Sequence, residues 1–432
     1  MSASPHTPAQ RPSIDFWKFW AGQTISNLGS SFTDFALPLL IFKLTGSALN
    51  LAIASATTFL PYLLFGLPIG AWVDRVDRKR LMIITDLLRA LVLVSIPLLA
   101  ALGMLSVWWI YTAGFLTSTL TIGFNSAEFA AIPSLVVHDD TSAGQALVTA
   151  NGRIQASYSA ATVVGPLLAG LLVAFVSLPV LLAIDAFSFI ISAGSLVLIK
   201  QSFNAGGSPR TGTNIWQDVT EGLRYVLGHP VLRNISLMMA LVNFVGSTVY
   251  AQLVLFAKDR LLASDTQVGV LYSAGSLGVV LLSLAAGPLR KRWSFSAVAL
   301  GALALQGLLI IGLALTRWYW AALPIWMLCA GLGILFNINT GSLRQAIVPN
   351  HLLGRVVSIA GVLAWSAIPL GTLLGGLAIT WTGNVALVYA VSGVLTVIIP
   401  LLFALTPLGH AERYMPAGEK QVGDGLSLDE SH

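Results

Sequence analysis

Four polar side chains in an otherwise apolar segment near the N-terminus have the types and spacing that proton exchange or cation binding needs. They are Gln23, Asn27, Ser30 and Asp34. Their spacing of i, i+4, i+7 and i+11 places them on one face of a helix. A carboxylate on such a face can carry a proton or bind a cation, and we expect Asp34 to do so. The alternative is a buried acid that hydrogen bonds hold in place.

Similar polar side chains recur in later apolar segments. They are Ser118, Thr121, Asn125 and Glu128; Asn151, Gln155, Tyr158 and Thr162; Asn243, Ser247 and Tyr250; and Asn337, Thr340 and Arg344. Polar groups are costly in lipid, so each set should face another helix or a water-filled cavity. We expect Thr121, Asn125, Asn243, Tyr250 and Asn337 to line a substrate and proton cavity with the first set. Hydrogen bonding between helices is the alternative.

The segments that carry these side chains are long enough to cross a membrane. The chain has 432 residues, of which 56% are hydrophobic and 9% charged, with a mean hydropathy of +0.82. A spanning helix needs about 20 apolar residues. The sequence therefore predicts an all-α integral membrane protein with twelve transmembrane helices. These fall near residues 16–42, 49–73, 81–102, 105–128, 150–176, 179–200, 231–257, 266–289, 295–315, 319–342, 355–380 and 384–407.

The basic residues predict the orientation of these helices. With both termini in the cytoplasm, all but four of the 23 Lys and Arg residues fall on the cytoplasmic side, as the positive-inside rule requires. The exceptions are Lys43, Lys258, Arg260 and Arg317. The net charge of +5 therefore indicates topology and not nucleic-acid binding. The first fourteen residues have no signal-peptide pattern, so we expect no removable leader.

A polar stretch divides the predicted helices into two sets of six. Its second part, around Trp216, Asp218 and Glu221, is typical of a short amphipathic helix at the membrane surface. The expected organisation is a cytoplasmic N-terminal tail (1–14), an N-terminal six-helix bundle (15–200), a cytoplasmic linker (201–230), a C-terminal six-helix bundle (231–408) and a disordered cytoplasmic tail (409–432). Matching small-residue patterns in the two halves favour an internal repeat.

The loop between predicted helices 2 and 3 has the densest charge. It reads Gly70-Ala-Trp-Val-Asp74-Arg75-Val-Asp77-Arg78-Lys79-Arg80. This spacing resembles the loop signature of major facilitator superfamily transporters, with Asp77 where that pattern usually has a second glycine. Further segments resemble the branch that contains macrolide efflux proteins and the enterobactin exporter: Leu44-Thr-Gly-Ser47, Asp185-Ala-Phe-Ser-Phe189, Trp216-x-Asp218-x-x-Glu221-Gly-x-Arg224-Tyr225 and Gly354-Arg-Val356.

The resemblance implies two pseudo-symmetric six-helix bundles around a central cavity. It also implies a multi-pass transporter of the cytoplasmic (inner) membrane that exports an amphipathic, drug-like or siderophore-like molecule by alternating access. Protons are the expected counter-ion, which would make the protein an antiporter. A nutrient importer of the same fold and a non-transporting receptor or assembly subunit remain alternatives.

Charged residues near the cytoplasmic ends of the helices are expected to form a gate. They are Gly70, Asp74, Arg75, Arg78 and Lys79 in and before the loop, and Asp86, Arg89, Glu128 and Arg153 in the helices. Asp86 and Arg89 are spaced i, i+3 and should pair. We expect Asp74 to dock near the start of predicted helix 11 when the cavity faces outward. A permanent structural network is the alternative.

Small residues in predicted helices 5 and 11 have two interpretations. Gly165, Pro166 and Gly170 resemble a signature of drug–proton antiporters, and Gly371 and Gly375 are their counterparts in the second half. They would allow these helices to bend during transport. The alternative, which we favour as their main role, is close packing of helices.

The rest of the sequence predicts neither an enzyme nor a cofactor. It contains no phosphate-binding loop, catalytic triad or metal-ligand spacing, so we expect no metal site. The expected partners are a small-molecule substrate, protons and the lipid bilayer, without nucleic acid, for a monomer. Asp185 is expected to form a structural hydrogen bond. Because Arg153 and Arg344 lie too near the helix ends to hold an anion, a neutral or weakly charged substrate is expected.

Overall fold

The computed structural model describes residues 13–73, 75–136, 143–204 and 215–414, and these ranges fold into helices joined by short turns. The α-helices are α1 (Ile14–Thr45), α2 (Ala48–Val73), α3 (Arg78–Ala101), α4 (Val107–Val136), α5 (Ala143–Leu172), α6 (Leu178–Val197), α7 (Ile215–Gly228), α8 (Pro230–Ala251), α9 (Leu253–Leu255), α10 (Asp265–Arg292), α11 (Phe295–Leu315), α12 (Tyr319–Ile347), α13 (Asn350–Trp365), α14 (Ala367–Thr382) and α15 (Val385–Ala404). A π-helical turn (Phe256–Arg260) follows α9, and a 3-10 helix (Pro407–Tyr414) follows α15.

Eleven helices of the described chain are long and apolar enough to cross a membrane, where the sequence predicts twelve. The difference is α4, which has 30 residues but is not among the eleven. Its run of Thr117, Ser118, Thr119 and Thr121 lowers its hydropathy. By contrast α13 and α14 contribute one candidate span, Ile359–Thr382, in spite of the break between them.

Helices of the first half pack closely where side chains are small. α1 lies against α5 and α6, and α3 lies against α4 and α6. A Cβ atom at Gly29 of α1 would overlap Ser188 and Asp185 of α6, and one at Gly22 would overlap Ser195. Small residues therefore set the distance between α1 and α6, as is common between membrane helices.

The second half is built in the same way. α12 packs on α10 and α11, α15 packs on α11, and α14 packs on α8. A Cβ atom at Gly307 of α11 would lie 2.7 Å from the carbonyl oxygen of Gly393 in α15. These close contacts leave little freedom for one helix to slide past its neighbour.

The two halves meet mainly through α5 with α10 and α2 with α14. The contacts lie toward the end of the molecule where α1 ends and α2 begins, which we call the far face. There a Cβ atom at Gly170 would lie 2.9 Å from the Cα atom of Gly269, and one at Gly376 would lie 2.5 Å from the Cβ atom of Ala52. The opposite end, which carries α7, is the linker face.

Polar contacts also join the halves at the far face. Asp265 at the start of α10 is ion-paired to Lys43 at the end of α1 and to Lys258, whose Nζ lies 2.5 Å away. The buried Gln252 donates a hydrogen bond of 2.7 Å from Nε2 to the carbonyl oxygen of Ala48. In this conformation the far face is therefore closed by both apolar and ionic contacts.

The packed chain extends past residue 408, whereas the sequence predicts a disordered tail at 409–432. In the 3-10 helix Leu408 and Ala411 are fully buried, and the hydroxyl of Ser296 donates a 3.0 Å hydrogen bond to the carbonyl oxygen of Leu408. His229, which precedes α8, contacts the ring of Tyr414 with centroids 5.9 Å apart. The expected tail therefore has its first residues docked on the second half, and residues 415–432 lie outside the described ranges.

Candidate substrate cavity

A cavity of about 530 Å³ lies between the two halves. Residues of α1 and α2 form one wall, and residues of α8, α10, α11 and α12 form the other, with Ile368 of α14 and Thr396 of α15 completing it. Its volume is within the range of pockets that hold drug-sized ligands. Most of the lining side chains are apolar, so the few polar groups must orient whatever binds.

Asp34 is the most distinctive group in this cavity. Its side chain is exposed and lines the cavity, and it makes no hydrogen bond or ion pair with any residue that the structure describes. The adjacent Thr33 instead donates its hydroxyl to Asp185 Oδ2 at 2.5 Å. Asp185 also accepts a 3.0 Å hydrogen bond from Ser188 and is buried, which is the structural role expected for it.

Amides, tyrosines and the hydroxyls of Ser and Thr side chains supply the other polar groups of the lining. Asn243 Nδ2 donates to the carbonyl oxygen of Ala364 at 2.9 Å, and Asn337 Nδ2 donates to that of Gly333 at 3.1 Å. Tyr250 packs on Trp326 with ring centroids 5.1 Å apart. The cavity thus contains four residues of the predicted set: Asp34, Asn243, Tyr250 and Asn337.

Seven polar residues of the lining were not in the predicted cavity set: Thr33, Ser55, Thr58, Ser247, Tyr272, Gln306 and Thr396. Gln306 of α11 lines the cavity and donates a 3.0 Å hydrogen bond to the carbonyl oxygen of Cys329. Tyr272 of α10 lines it as well and packs edge-on against Phe35. The available signal for Gln306 was its position as a single amide in a very apolar helix, which indicates a buried partner or a cavity.

The other predicted cavity residues do not line this space. Gln23 is buried and donates a 3.0 Å hydrogen bond to Ser192 Oγ on α6, so it joins two helices. Asn27 and Ser30 lie between it and Asp34 along α1, outside the cavity lining. Thr121 and Asn125 of α4 are also absent from the lining, and Thr121 Oγ1 instead accepts a 3.5 Å contact from Arg89 Nη1.

Three of the four predicted helix charges form one cluster. Arg89 and Asp86 are buried and bonded to each other, as their spacing predicts. The Arg89 guanidinium lies 4.4 Å from the ring centroid of Phe124 and 4.3 Å from that of Phe189. Glu128 is close enough to interact electrostatically with Arg89. The guanidinium is therefore held by a carboxylate and two aromatic faces.

Arg153 does not belong to this cluster. Its guanidinium lies 4.9 Å from the ring centroid of Trp17, and its carbonyl oxygen accepts a 3.2 Å hydrogen bond from Trp20 Nε1. The expectation of a four-residue network is therefore incorrect at this position, because α5 directs Arg153 toward the start of α1.

The basic loop is tied to the first half. Asp77 caps α3 by accepting a hydrogen bond of 2.8 Å from the Arg80 backbone. Arg78 donates to the carbonyl oxygens of Ala130 and Phe203, each at 3.2 Å. Lys79 Nζ donates to that of Ile199 at 2.5 Å. Gly70 lies in the last turns of α2, Arg75 is exposed, and Asp74 lies outside the described residues.

The predicted helix-bending residues are packing contacts in this conformation. A Cβ atom at Gly165 would overlap Ser31, one at Gly371 would overlap the backbone of Phe244, and one at Gly375 would overlap Thr248. α5 is continuous through Pro166. The break in the second half lies at Ser366, between α13 and α14.

Comparison with known proteins decides the family. Residues 3–422 match the family described as transmembrane secretion effector. The chain belongs to this family. Among curated relatives, it is 30% identical to the multidrug efflux pump Tap of Mycolicibacterium fortuitum, over 81% of this chain and 85% of Tap. It is 27% identical to macrolide efflux protein A of Streptococcus pyogenes, over 84% of this chain and 89% of that protein.

Solved structures show the same fold. A bacterial homologue of the human lysosomal transporter Spinster, in an inward-facing and occupied conformation, aligns with a TM-score of 0.71 at 15% identity, over 93% of this chain and 96% of that one. The nucleoside transporter NupG aligns with a TM-score of 0.73 at 13% identity, over 90% and 98%. The family match and the efflux relatives, together with this fold, show a multi-pass membrane transporter of the major facilitator superfamily and not an enzyme.

Proposed function

We propose that the protein exports amphipathic, drug-like molecules from the cell by alternating access. The observation that carries the proposal is the cavity of about 530 Å³ whose walls come from both halves of the chain. A relative rotation of the halves would close this space on one side and open it on the other. The efflux activities in the names of the two curated relatives support export.

The architecture that supports this mechanism is two bundles of six transmembrane helices. We include α4 as the twelfth spanning helix, because it has 30 residues and packs between α2 and α3 like its neighbours. The bundles are residues 15–200 and 231–408, joined by the linker at 201–230. Since one chain supplies both walls of the cavity, a monomer is sufficient for transport.

The distribution of basic residues supports an orientation with both termini in the cytoplasm. Among the described residues, Lys43, Lys258, Arg260 and Arg317 lie at the far face, and the other Lys and Arg residues lie toward the linker face or within helices. The positive-inside rule then places the linker face in the cytoplasm. Because the far face is closed, the described conformation corresponds to a cavity that faces the cytoplasm.

Proton antiport is the energy source that the cavity favours. Asp34 is a carboxylate in contact with the cavity and without a partner among the described residues. Such a group can exchange a proton with whichever side the cavity faces, since water reaches it there. Asp86 and Asp185 are held by Arg89, Thr33 and Ser188, so they are less suited to this role.

Accumulation measurements test the proposal. Cells that produce the protein should accumulate less of a fluorescent amphipathic drug than matched cells without it, and an uncoupler should abolish the difference. Higher accumulation in the producing cells would mean import, and unchanged accumulation would mean that the protein does not move the drug. A difference that persists with the uncoupler would exclude proton antiport.

A further inference from the structure

A second cavity lies at the linker face, within the second half of the chain. It has a volume of about 280 Å³ and lies where α10 ends and α11 begins, beside the last turns of α12. Arg290 of α10, Phe295 of α11 and five residues of α12 between Asn339 and Ala346 line it. None of them lines the cavity between the halves. The space is smaller than pockets that hold drug-sized ligands, so its occupant must be smaller than an exported drug.

The charge of this lining comes from a guanidinium. Among the described residues that line the cavity, Arg290 is the single charged one. Its guanidinium lies 5.8 Å from the ring centroid of Phe295, and its Nη1 donates a 3.2 Å hydrogen bond to the carbonyl oxygen of Trp293. These contacts hold the guanidinium at the end of α10. A guanidinium presents five N–H groups in a planar fork that fits the oxygens of a carboxylate or a phosphate.

Asn339 supplies a buried donor to the same cavity. The residue is only 2% exposed, and its Nδ2 donates a 2.7 Å hydrogen bond to the carbonyl oxygen of Leu335. The second N–H group of this amide has no partner among the residues that the structure describes. Gln345 adds a further amide at the exposed edge, and α11, which begins at Phe295, adds the positive end of its helix dipole. A buried donor without an acceptor is costly, so the lining is suited to a ligand with acceptor oxygens.

The surroundings of this cavity have one sign of charge. Between residues 230 and 408 the sequence contains two carboxylates, Asp259 and Asp265, and both belong to the far face. The basic residues of these helices toward the linker face are Arg233, Arg290, Lys291, Arg292, Arg344 and Arg355. The linker face of this bundle therefore has a positive potential, which raises the local concentration of anions.

We propose that this second cavity binds a phosphate group, with two of its oxygens on the Arg290 guanidinium and a third on the Asn339 amide. The inference goes beyond the proposed function and does not depend on it. Two sources have this chemistry. One candidate span ends at Arg290 and the next begins at Phe295, so the cavity lies at the depth of lipid headgroups, where basic pockets between helices bind anionic lipids. A soluble phosphate would reach the same cavity from the water on that side.

Binding measurements on the purified full-length protein test this. Native mass spectrometry compares bound phosphatidylglycerol, an anionic lipid, with phosphatidylcholine, whose headgroup has no net charge. Equilibrium dialysis in lipid-free detergent measures the affinity for inorganic phosphate. Arg290→Gln should weaken binding of the anions by about tenfold or more, because it removes a charge-assisted bidentate pair. Ser342→Asp should weaken it as well, because it places a carboxylate in the lining, and Ser342 is exposed, so this variant should fold.

Arg292→Gln is the matched control. Arg292 is exposed, lies two residues beyond Arg290 and does not line the cavity, so its loss changes the net charge equally and should leave anion binding almost unchanged. Bound phosphatidylglycerol that inorganic phosphate does not displace would support the site and identify a lipid headgroup. Displacement by inorganic phosphate would support the site and identify a soluble phosphate. Equal losses in Arg290→Gln and Arg292→Gln, or no preference of the unmodified protein for either anion, would overturn the inference.

Discussion

Three carboxylates of the first six helices have very different neighbours. Asp86 is bonded to Arg89, whose guanidinium lies between two phenylalanine rings. Asp185 accepts hydrogen bonds from Thr33 and Ser188. Asp34 has no hydrogen-bond or ion-pair partner within the described part of the chain and opens to the cavity. Removal of a partner of Asp86 or Asp185 would leave a buried polar group without a hydrogen bond. The environment of Asp34 is suited to reversible binding.

The first prediction concerns coupling at Asp34. Asp34→Asn keeps the size of the side chain but cannot exchange a proton. In reconstituted vesicles it should still move the fluorescent amphipathic drug down its gradient, without the change in internal pH that proton antiport by the unmodified protein would cause. A pH-sensitive dye in the vesicles measures this. A pH change of unaltered size in the variant would show that another group carries the proton.

The second prediction concerns Asp185, as a structural residue. Asp185→Ala leaves the hydroxyls of Thr33 and Ser188 without their acceptor, and each unsatisfied buried group costs about 1–3 kcal/mol. Thermal unfolding in detergent should therefore occur at a lower temperature. Asp185→Asn retains an acceptor oxygen and should recover part of the loss. Equal stability of Asp185→Ala and the unmodified protein would contradict the structural role.

The sequence could identify these residues but not separate their roles. Spacing on α1 placed Gln23 and Asp34 on one face, and both do lie on it. The face is long, however, and α6 covers its first part while the cavity opens beside its last part, so Gln23 bonds to Ser192. Which part of a helix a neighbour covers depends on distances between helices, and these are not encoded in the spacing along one segment.

At the scale of elements, close helix–helix contacts at glycine residues control how the two halves meet. The α5–α10 contact depends on Gly170 and Gly269, and the α2–α14 contact depends on Gly376 opposite Ala52.

The break between α13 and α14 has a local cause. Pro369 cannot donate a backbone hydrogen bond and its ring would clash with the carbonyl of Trp365. Gly371 and Gly375, for which the sequence allows either bending or close packing, are in close contact with α8, and Pro369 was not among the residues predicted to bend the chain.

The third prediction tests the α5–α10 contact. A Cβ atom at Gly269 would lie 2.5 Å from the carbonyl oxygen of Pro166, so Gly269→Ala should open the far face. Overpacking of about 1–3 kcal/mol would shift the equilibrium by about 5- to 150-fold. Spin labels at Leu102→Cys and Arg317→Cys should report a longer distance. Cys329 is buried, so it should not be labelled.

Gly287→Ala is the matched control for this experiment. It lies in the same helix, α10, but a Cβ atom there would meet nothing within 4 Å. The distance between the labels should be the same as in the unmodified protein. An equal change in both variants would mean that α10 responds to helix propensity and not to the contact with α5.

The fourth prediction concerns the C-terminal 3-10 helix. A chain that ends at Tyr414 should transport normally. A chain that ends at Thr406 loses the buried Leu408 and Ala411, and loss of one buried leucine alone costs about 1.5–3 kcal/mol. The shorter chain should unfold at a lower temperature. Equal stability of the two truncated chains would show that the 3-10 helix contributes nothing to the second half.

At the scale of the whole molecule, hydropathy predicts the individual helices. It does not predict how the two halves are placed around the cavity. Apolar runs of about 20 residues specify spans locally, and eleven of the twelve expected spans are matched by candidate spans in the described chain. The cavity is a property of two halves in one relative position. No local pattern indicates that Gln306 and Tyr272 would face Asp34 across that space, because they lie more than 200 residues away in the chain.

The fifth prediction concerns the ion pairs of the far face. Lys43 joins the halves through Asp265, whereas Lys258 binds the same carboxylate from within the second half. Lys43→Met should favour opening of the far face, and Lys258→Met should not, as measured by the same spin labels. Partly exposed pairs contribute about 0.2–1 kcal/mol, so the shift should be fivefold at most. Equal shifts in the two variants would contradict a specific role for Lys43.

We expect this ion pair to make transport sensitive to conditions on one side of the membrane. The side chains of Lys43 and Asp265 are 46% and 22% exposed, so dissolved ions reach them, and at 1 M salt the range of an electrostatic interaction is only about 3 Å. With the far face outside the cell, the salinity of the surroundings would weaken closure after each release, while the cytoplasmic steps would be unaffected. An organism in brine and one in fresh water would then have the same pump with different resting conformations.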